Sequence, residues 1–436
     1  MTDEIINGFS SLSREEKAKL VTLPLARPEK LMKLFDFSLY QSEDMQKQFL
    51  EMSENTLASY HLPYSVAPNV MVDGKVYHVP MVTEESSVVA AAAYSSKFWA
   101  NRGGFKVENI ATTKLGHIYF LWNENPMDLT SNWPFLRFVL LEKIKPLIKN
   151  MEERGGGIVS LEIENLTYSV PNLFRINTEF DTVDSMGANF INTCLEEIAL
   201  ELKRYYSVKV DNRKKEVLQI VMSILSNYVD GCTVTVSAQC NIGDLDGVEK
   251  GLTGAELAHR IQTGFDIARV DIYRATTHNK GIMNGVDAVL IATGNDFRAA
   301  EAAAHAFASR TGRYTSLSNC TVENDVFKIC LTMPLAVGTV GGITNLHPMA
   351  KASMELLGHP SASQLMAIVA SVGLASNFSA VKNLVTTGIQ HGHMKMHLSN
   401  ILSSLGVDNV TRERVLEYFR NRTVSYSAVK EFLDQD

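Results

Sequence analysis

Between residues 117 and 227 the spacing of apolar side chains changes period repeatedly, and that alternation limits the folds open to the chain. HIYFLW, IVSLEIENLTY, NLFRINTEFDTV and EVLQIVMSIL read as strands. FLRFVLLEKIKPLIKNMEER and NFINTCLEEIALELKRYY carry the period of amphipathic helices instead. Strands and helices mixed over so short a stretch predict a compact α+β subdomain. With 436 residues the chain exceeds what one core organises, so two or three domains are expected. The first fifty residues read as helical, with Ser13 and Glu16 at capping-box spacing and Pro28 near the start of PEKLMKLFDF. NVMV and KVYHVPMV flank Asp73-Gly74, a pair suited to the positive φ of a tight hairpin, and SSVVAAAAYSSKFWA follows as a small-residue helix. From 229 the pattern is helix-rich and rich in Ala and Gly, and a charged, mostly helical unit starts near 386.

The net charge of -7 argues against a nucleic-acid partner, which calls for a basic face. Asp3 and Glu4 stand where a signal peptide needs positive charge. No apolar run reaches the roughly 18 residues of a membrane span, so no membrane partner is expected. The five cysteines lack CxxC spacing, which disfavours a disulfide framework or a zinc knuckle. They predict reduced, mostly buried thiols in a cytoplasmic enzyme.

Four segments carry candidate chemistry. In THNKGIMNGVDAVLIATGNDFRAA, Lys280 and Asn284 share a face if the chain is helical. Asp296 falls well over a quarter-turn from Lys280 on one straight helix, so cooperation between them requires a break at Gly281, Gly285 or Gly294. On spacing alone, a solvated lysine and a helix-terminal aspartate are the simpler reading. In PMVTEESSVVAAAA, Glu84 and Glu85 stand between a strand and a helix, where the helix dipole alone would favour them. Glu85 shares its direction with Ser87 and is the better site candidate. In TVDSMGANFINTC, Gly187 opens a helix with Asp184 as its natural N-cap, a weak pattern that also suits a pyrophosphate. Neither GxGxxG after a strand nor GxxxxGK[ST] occurs. In GIQHGHMKMHL, His391, His393 and His397 cluster, and the i,i+4 pair keeps a metal site in contention. No HExxH accompanies it, and a histidine at a helix start also serves as a proton donor.

Taken in order, these segments resemble the 3-hydroxy-3-methylglutaryl-CoA reductase family, in particular its soluble bacterial class II form. The likeness runs from about residue 50 to 400, through ENTLASYHLPYSVAPNVMVDGKVYHVPMVTEESSVVAAA, DSMGAN, RATTHNKGIMNGVDAVLIATGNDFRAAEAAAHA, VGTVGGIT and GIQHGHM. The resemblance implies a large helix-rich domain (1–116 and 228–385) interrupted by a small α+β dinucleotide-binding subdomain (117–227), with a helical C-terminal flap (386–436). It also implies that hydroxymethylglutaryl-CoA is reduced to mevalonate and free coenzyme A by two NAD(P)H, without a metal, in a homodimer or an assembly of dimers with sites at the subunit interface. Lys280 would hold the thioester oxygen, Glu85 would assist the aldehyde-level reduction, Asp296 would bridge Lys280 to its neighbours, and His393 would protonate the departing thiolate. Ser87, Arg274, Asn284 and Asn227 would grip the substrate. Asp184, Met186, Gly187 and Asn189 would bind the dinucleotide. Some NADH-using relatives carry an aspartate in the strand-to-loop region after GGGIVSLEIE that would repel a 2′-phosphate, and Tyr168 is roughly aligned with it, which leans the reading to NADPH, with NADH possible. Other departures are Ser86 for proline, Ile343 in the glycine-rich motif, and His391 for a basic residue. The rival readings are mevalonate oxidation on the same fold, a metal-binding protein built on the three histidines, and an inactive coenzyme-A-binding homologue.

Overall fold

The computed structural model describes residues 13, 15–16, 19, 29, 42–209, 217–386, 388, 398, 401–419, 422 and 424–434. Residues 1–63 and 64–436 form two compact units. In the first, the Ser13–Glu16 box closes in both directions, at 2.8 and 3.3 Å, while Pro28 lies outside the described residues. Helix α1 (Glu43–Glu51) starts at Ser42, whose hydroxyl accepts from the Met45 N–H.

The second unit opens on a hairpin of β1 (Tyr64–Val72) and β2 (Lys75–Val82). Asp73 and Gly74 form its two-residue turn at φ 46 and 81, the double positive φ that this dipeptide favours. Next come α2 (Ser86–Ala100) and β3 (Lys106–Ile110). A four-stranded antiparallel sheet follows, made of β4 (Lys114–Trp122), β5 (Gly157–Asn165), β6 (Leu173–Asp181) and β7 (Leu218–Leu225) in the order β5-β6-β4-β7. One face packs on α3 (Pro126–Glu152) and α4 (Ala188–Lys209), where Ile118, Phe120, Phe174 and Phe180 meet Leu136, Leu140, Leu195 and Ile198 in a single buried cluster. The strand alternation and helical stripes read from the sequence close on each other there.

A second four-stranded sheet departs from the expectation of a helix-rich run after 229. It contains β8 (Thr233–Asn241), β9 (Ser318–Glu323) and β10 (Val326–Pro334), in the order β3-β8-β10-β9. TVTVSAQCN does alternate between buried and less buried positions, but its small and polar side chains give a weak apolar signal. Between β8 and β9 lie α5 (Gly254–Val270), α6 (Ile272–Ala292) and α7 (Phe297–Ala308), and after β10 come α8 (Gly342–Leu346), α9 (Pro348–Leu356) and α10 (Ala362–Val385).

Helix α10 is long and apolar enough to cross a membrane, yet 89% of its most apolar window is buried in protein. It is the axis of the larger core, with Phe378 against Phe98, Trp99 and Phe327. Its contact with α6 is set by glycine on both sides. A Cβ at Gly285 would meet the Val372 carbonyl oxygen at 2.7 Å, and one at Gly373 would meet the Val286 side chain at 2.8 Å. At the C-terminus, α11 (Asn409–Tyr418) and α12 (Tyr426–Asp434) help enclose a small core of Leu398, Leu402, Val415, Phe419 and Val429.

Candidate active site

The expected site residues divide between two places. The first is a cavity of about 520 Å³ lined from α2, α6 and α10. Glu85, Ser87, Arg274, Lys280 and Asn284 all line it. Glu85 occupies the N-cap position of α2 but makes no capping bond with its side chain. Its carboxylate instead accepts from the Ser87 hydroxyl and stands 3.8 Å from the Lys280 ammonium. Glu84 bonds its neighbour Thr83 and is not among the lining residues, so the choice of Glu85 over Glu84 matches the geometry. With 63% of the Lys280 side chain exposed, that ion pair adds little to folding, so its place in the cavity is not explained by stability.

Helix α6 supplies Arg274 and Lys280 because its residues 274, 277, 280, 281 and 284 fall on one side, while Glu85 enters from the start of α2 and Lys382 from α10. Gly281 has nothing within 4 Å of a would-be Cβ, which leaves the wall open beside Lys280. Arg274 is partly desolvated, which lowers its proton affinity from the usual guanidinium value. His278 behind it is pushed down to about 3 by burial and by the Arg274 charge, so it is neutral at ordinary pH and bonds Ser318 at 2.6 Å.

The break required between Lys280 and Asp296 occurs at the last of the three candidate glycines. Helix α6 runs unbroken through Gly281 and Gly285, and the chain turns at Gly294 (φ 69). Asp296 then caps α7, accepting from the Ala299 N–H at 3.1 Å, with Arg298 at 3.4 Å. From Lys280 to the end of α6 the helix rises about 18 Å, so within one chain the structure does not bring Asp296 into the Lys280 cavity.

Asp296 belongs instead to a second cluster. Its neighbour Asn295 accepts from Gly338 N–H at 2.8 Å, and a Cβ on Gly338 would meet the Met186 nitrogen at 2.5 Å. Met186 and Asn227 line a small cavity of about 20 Å³ together with Lys114 and Ala299. Asp184 sits in the preceding turn, but not as the expected cap of α4. Its carboxylate accepts from the Ala362 N–H at 2.7 Å, at the start of α10, and Ser185 accepts from Gly187 N–H instead. The reason is Gly187, whose φ of 84 turns the chain sharply over Thr182; a Cβ there would fall 2.5 Å from the Thr182 methyl. Asn189 is exposed on the first turn of α4. A helix start behind a glycine turn presents free N–H groups of the sort that hold a phosphate.

Tyr168 lies away from this turn. Gly157 pairs with Asp181 and Asn165 with Phe174, so the β5–β6 connection that carries Tyr168 is at the opposite end of the sheet, about 25 to 30 Å away. Tyr168 therefore gives no support for one dinucleotide over the other at the Asp184–Gly187 turn. His391, His393 and His397 lie outside the described residues. Lys114 was not singled out from the sequence, although it falls in the core-facing phase of a strand whose other such positions are Gly116, Ile118, Phe120 and Trp122.

A charged cavity among three helices and a glycine turn at the start of a fourth fit an oxidoreductase that handles a substrate and a dinucleotide, and the comparisons agree. The structure of the class II 3-hydroxy-3-methylglutaryl-CoA reductase from Streptococcus pneumoniae, bound to NADPH in open conformations, superposes with a TM-score of 0.72 at 38% identity, over 87% of this chain and 99% of that one. A second structure of the Streptococcus pneumoniae reductase matches 98% of this chain with a TM-score of 0.71 at 36% identity. Among curated proteins, the reductase of Archaeoglobus fulgidus is 32% identical over 99% of this chain and 94% of its own length. The probable reductase of Borreliella burgdorferi is 30% identical over 93% and 90%. The model of the hydroxymethylglutaryl-coenzyme A reductase family matches residues 15–398, and the chain belongs to that family.

Proposed function

We propose that the chain reduces hydroxymethylglutaryl-CoA to mevalonate and free coenzyme A with two NADPH, in two hydride steps at one cavity. The Glu85–Lys280 pair in the cavity, beside Ser87, carries this reading. The cofactor, when bound, supplies hydride to the carbonyl carbon. A thioester oxygen that gains negative charge needs a preorganised cation, and Lys280 is within reach of that role. Arg274, Asn284 and Ser87, which line the cavity, hold the acyl portion; Asn227, expected beside them, lines the second cavity with Met186 instead. His393, on the C-terminal flap, protonates the thiolate as the hemithioacetal collapses, which makes departure of coenzyme A favourable. The aldehyde stays in the cavity for the second reduction, with Glu85 as its hydrogen-bond partner and proton source through Lys280.

The dinucleotide binds at Asp184, Met186, Gly187 and Asn189, on the α+β subdomain of residues 117–227. NADPH is the reading favoured by the NADPH-bound relative, and NADH remains the competitor in the test below. Lys280 and Asp296 lie too far apart to cooperate within one chain, which supports a homodimer whose two subunits each contribute a half-site. The five unpaired thiols support a cytoplasmic setting.

The test mixes the protein with hydroxymethylglutaryl-CoA and either NADPH or NADH. Loss of reduced-nicotinamide absorbance, with one free thiol per two cofactors consumed, is the expected result. Absorbance that holds steady with both cofactors defeats the reading. His393→Gln should impair thioester reduction more than reduction of free mevaldehyde, and equal losses on both would remove its role as thiolate acid.

A further inference from the structure

Lys114 takes no part in the steps above, yet it is the most deeply placed cation near the dinucleotide turn. It is 4% exposed, at the start of β4, where the strand's alternation points it into the core. A buried ammonium is costly unless its protons are used. Here Nζ donates to the Thr182 hydroxyl and, at 2.9 Å, to the Ser185 carbonyl. The Thr182 hydroxyl donates in turn to that same carbonyl at 2.6 Å. The Thr182 methyl fills the space under Gly187, and the Ser185 hydroxyl accepts from the Gly187 N–H at 3.0 Å. One ammonium thus holds both sides of the turn that carries Asp184, Met186 and Gly187. Burial lowers its proton affinity, and Cys232, Asp181 and Asp184 act against that shift.

We propose that Lys114 is a positioning residue for the dinucleotide, fixing the Thr182–Gly187 turn from beneath and offsetting the charge of Asp181 and Asp184 so that the outer face accepts a phosphate. This rests on the dinucleotide assignment given under Proposed function. The ammonium touches neither substrate nor cofactor; it acts through the turn.

Two variants of the full chain test it, Lys114→Met and Thr182→Val, each measured for NADPH binding by nicotinamide fluorescence and for the KM of NADPH and of hydroxymethylglutaryl-CoA separately. Loss of a hydrogen-bonded charge predicts a rise of about tenfold in the Kd and KM for NADPH in Lys114→Met, and of about threefold in Thr182→Val. The KM for hydroxymethylglutaryl-CoA should stay within about twofold, because the Lys280 cavity is separate. A merely structural strut would lower the melting temperature and leave NADPH binding of the folded protein unchanged, and that result overturns the proposal. So does a parallel rise in both KM values. If Lys114→Met does not fold, Thr182→Val decides by the same criteria. A native protein that never oxidises NADPH with hydroxymethylglutaryl-CoA defeats the function itself, whereas normal NADPH binding in the variants defeats only the role of Lys114.

Discussion

The Lys280 cavity and the Asp184–Gly187 turn are built from different materials. The cavity presents side chains from long helices whose backbones are fixed elsewhere, by the α6–α10 contact and the large core. The turn presents backbone, held by two positive φ values at Val183 and Gly187, one threonine methyl and one buried ammonium. A substitution in the cavity should therefore remove a chemical group and leave the shape intact. A substitution in the turn should change the shape and leave the reacting groups intact.

The largest effect is expected from Lys280→Ala. Loss of the oxyanion partner should lower kcat by roughly 10²–10³-fold or more. NADPH binding and melting temperature should hold, and a matching fall in NADPH affinity would mean that the two places are not separable. Gly187→Ala is next. With φ at 84 and Thr182 in the way of a Cβ, the turn must shift, at a cost of about 1–3 kcal/mol that should be read mainly in the KM for NADPH. Unchanged cofactor binding would show that the turn's shape does not matter. Gly285→Ala attacks the frame of the cavity. A methyl driven at the Val372 carbonyl should cost about 1–2 kcal/mol of stability and lower kcat by tilting α6, checked by thermal unfolding and turnover together.

The smallest effect concerns pH. The Asp287 carboxyl on α6 is pushed up to about 8 by burial, with Glu301 adding to the shift through a hydrogen bond and its charge. A folded value above the unfolded one means that its contribution to stability is present in full below about pH 4 and is lost as pH rises toward about 8. Asp287→Asn should flatten that part of the melting-temperature profile between pH 5 and 8. A slope identical to that of the native chain would exclude Asp287 as its source.

Much of the fold was legible because local chemistry and tertiary packing agree. Asp73-Gly74 dictates its own turn, and the strand and helix periods between 117 and 227 describe faces that meet. The need for a break before Asp296 followed from helical geometry, but the choice among three glycines did not. Gly285 is spent on the approach of α6 to α10 and Gly281 on an open wall, and only the packed structure separates those uses. Asp184 reads as the cap of the next helix in sequence, whereas its partner is Ala362, far along the chain. Tyr168 sits in the β5–β6 connection, and a rough match along the sequence carries no information about which end of a sheet a residue occupies. Lys114 had left a signal in the strand's alternation, a charge in the apolar phase.

The cysteines bear on the product. Cys194 and Cys320 are pushed up to about 12 and Cys232 and Cys240 to about 11, all by burial first, and Cys330 is raised in the same direction. An enzyme that frees a small thiol at every turnover works beside a ready partner for mixed disulfides, and such exchange begins with a thiolate. Four of the five thiols are buried and Cys330 is half-buried, and all five are shifted away from the thiolate, so mixed disulfides with released coenzyme A are expected to form slowly, at Cys330 first.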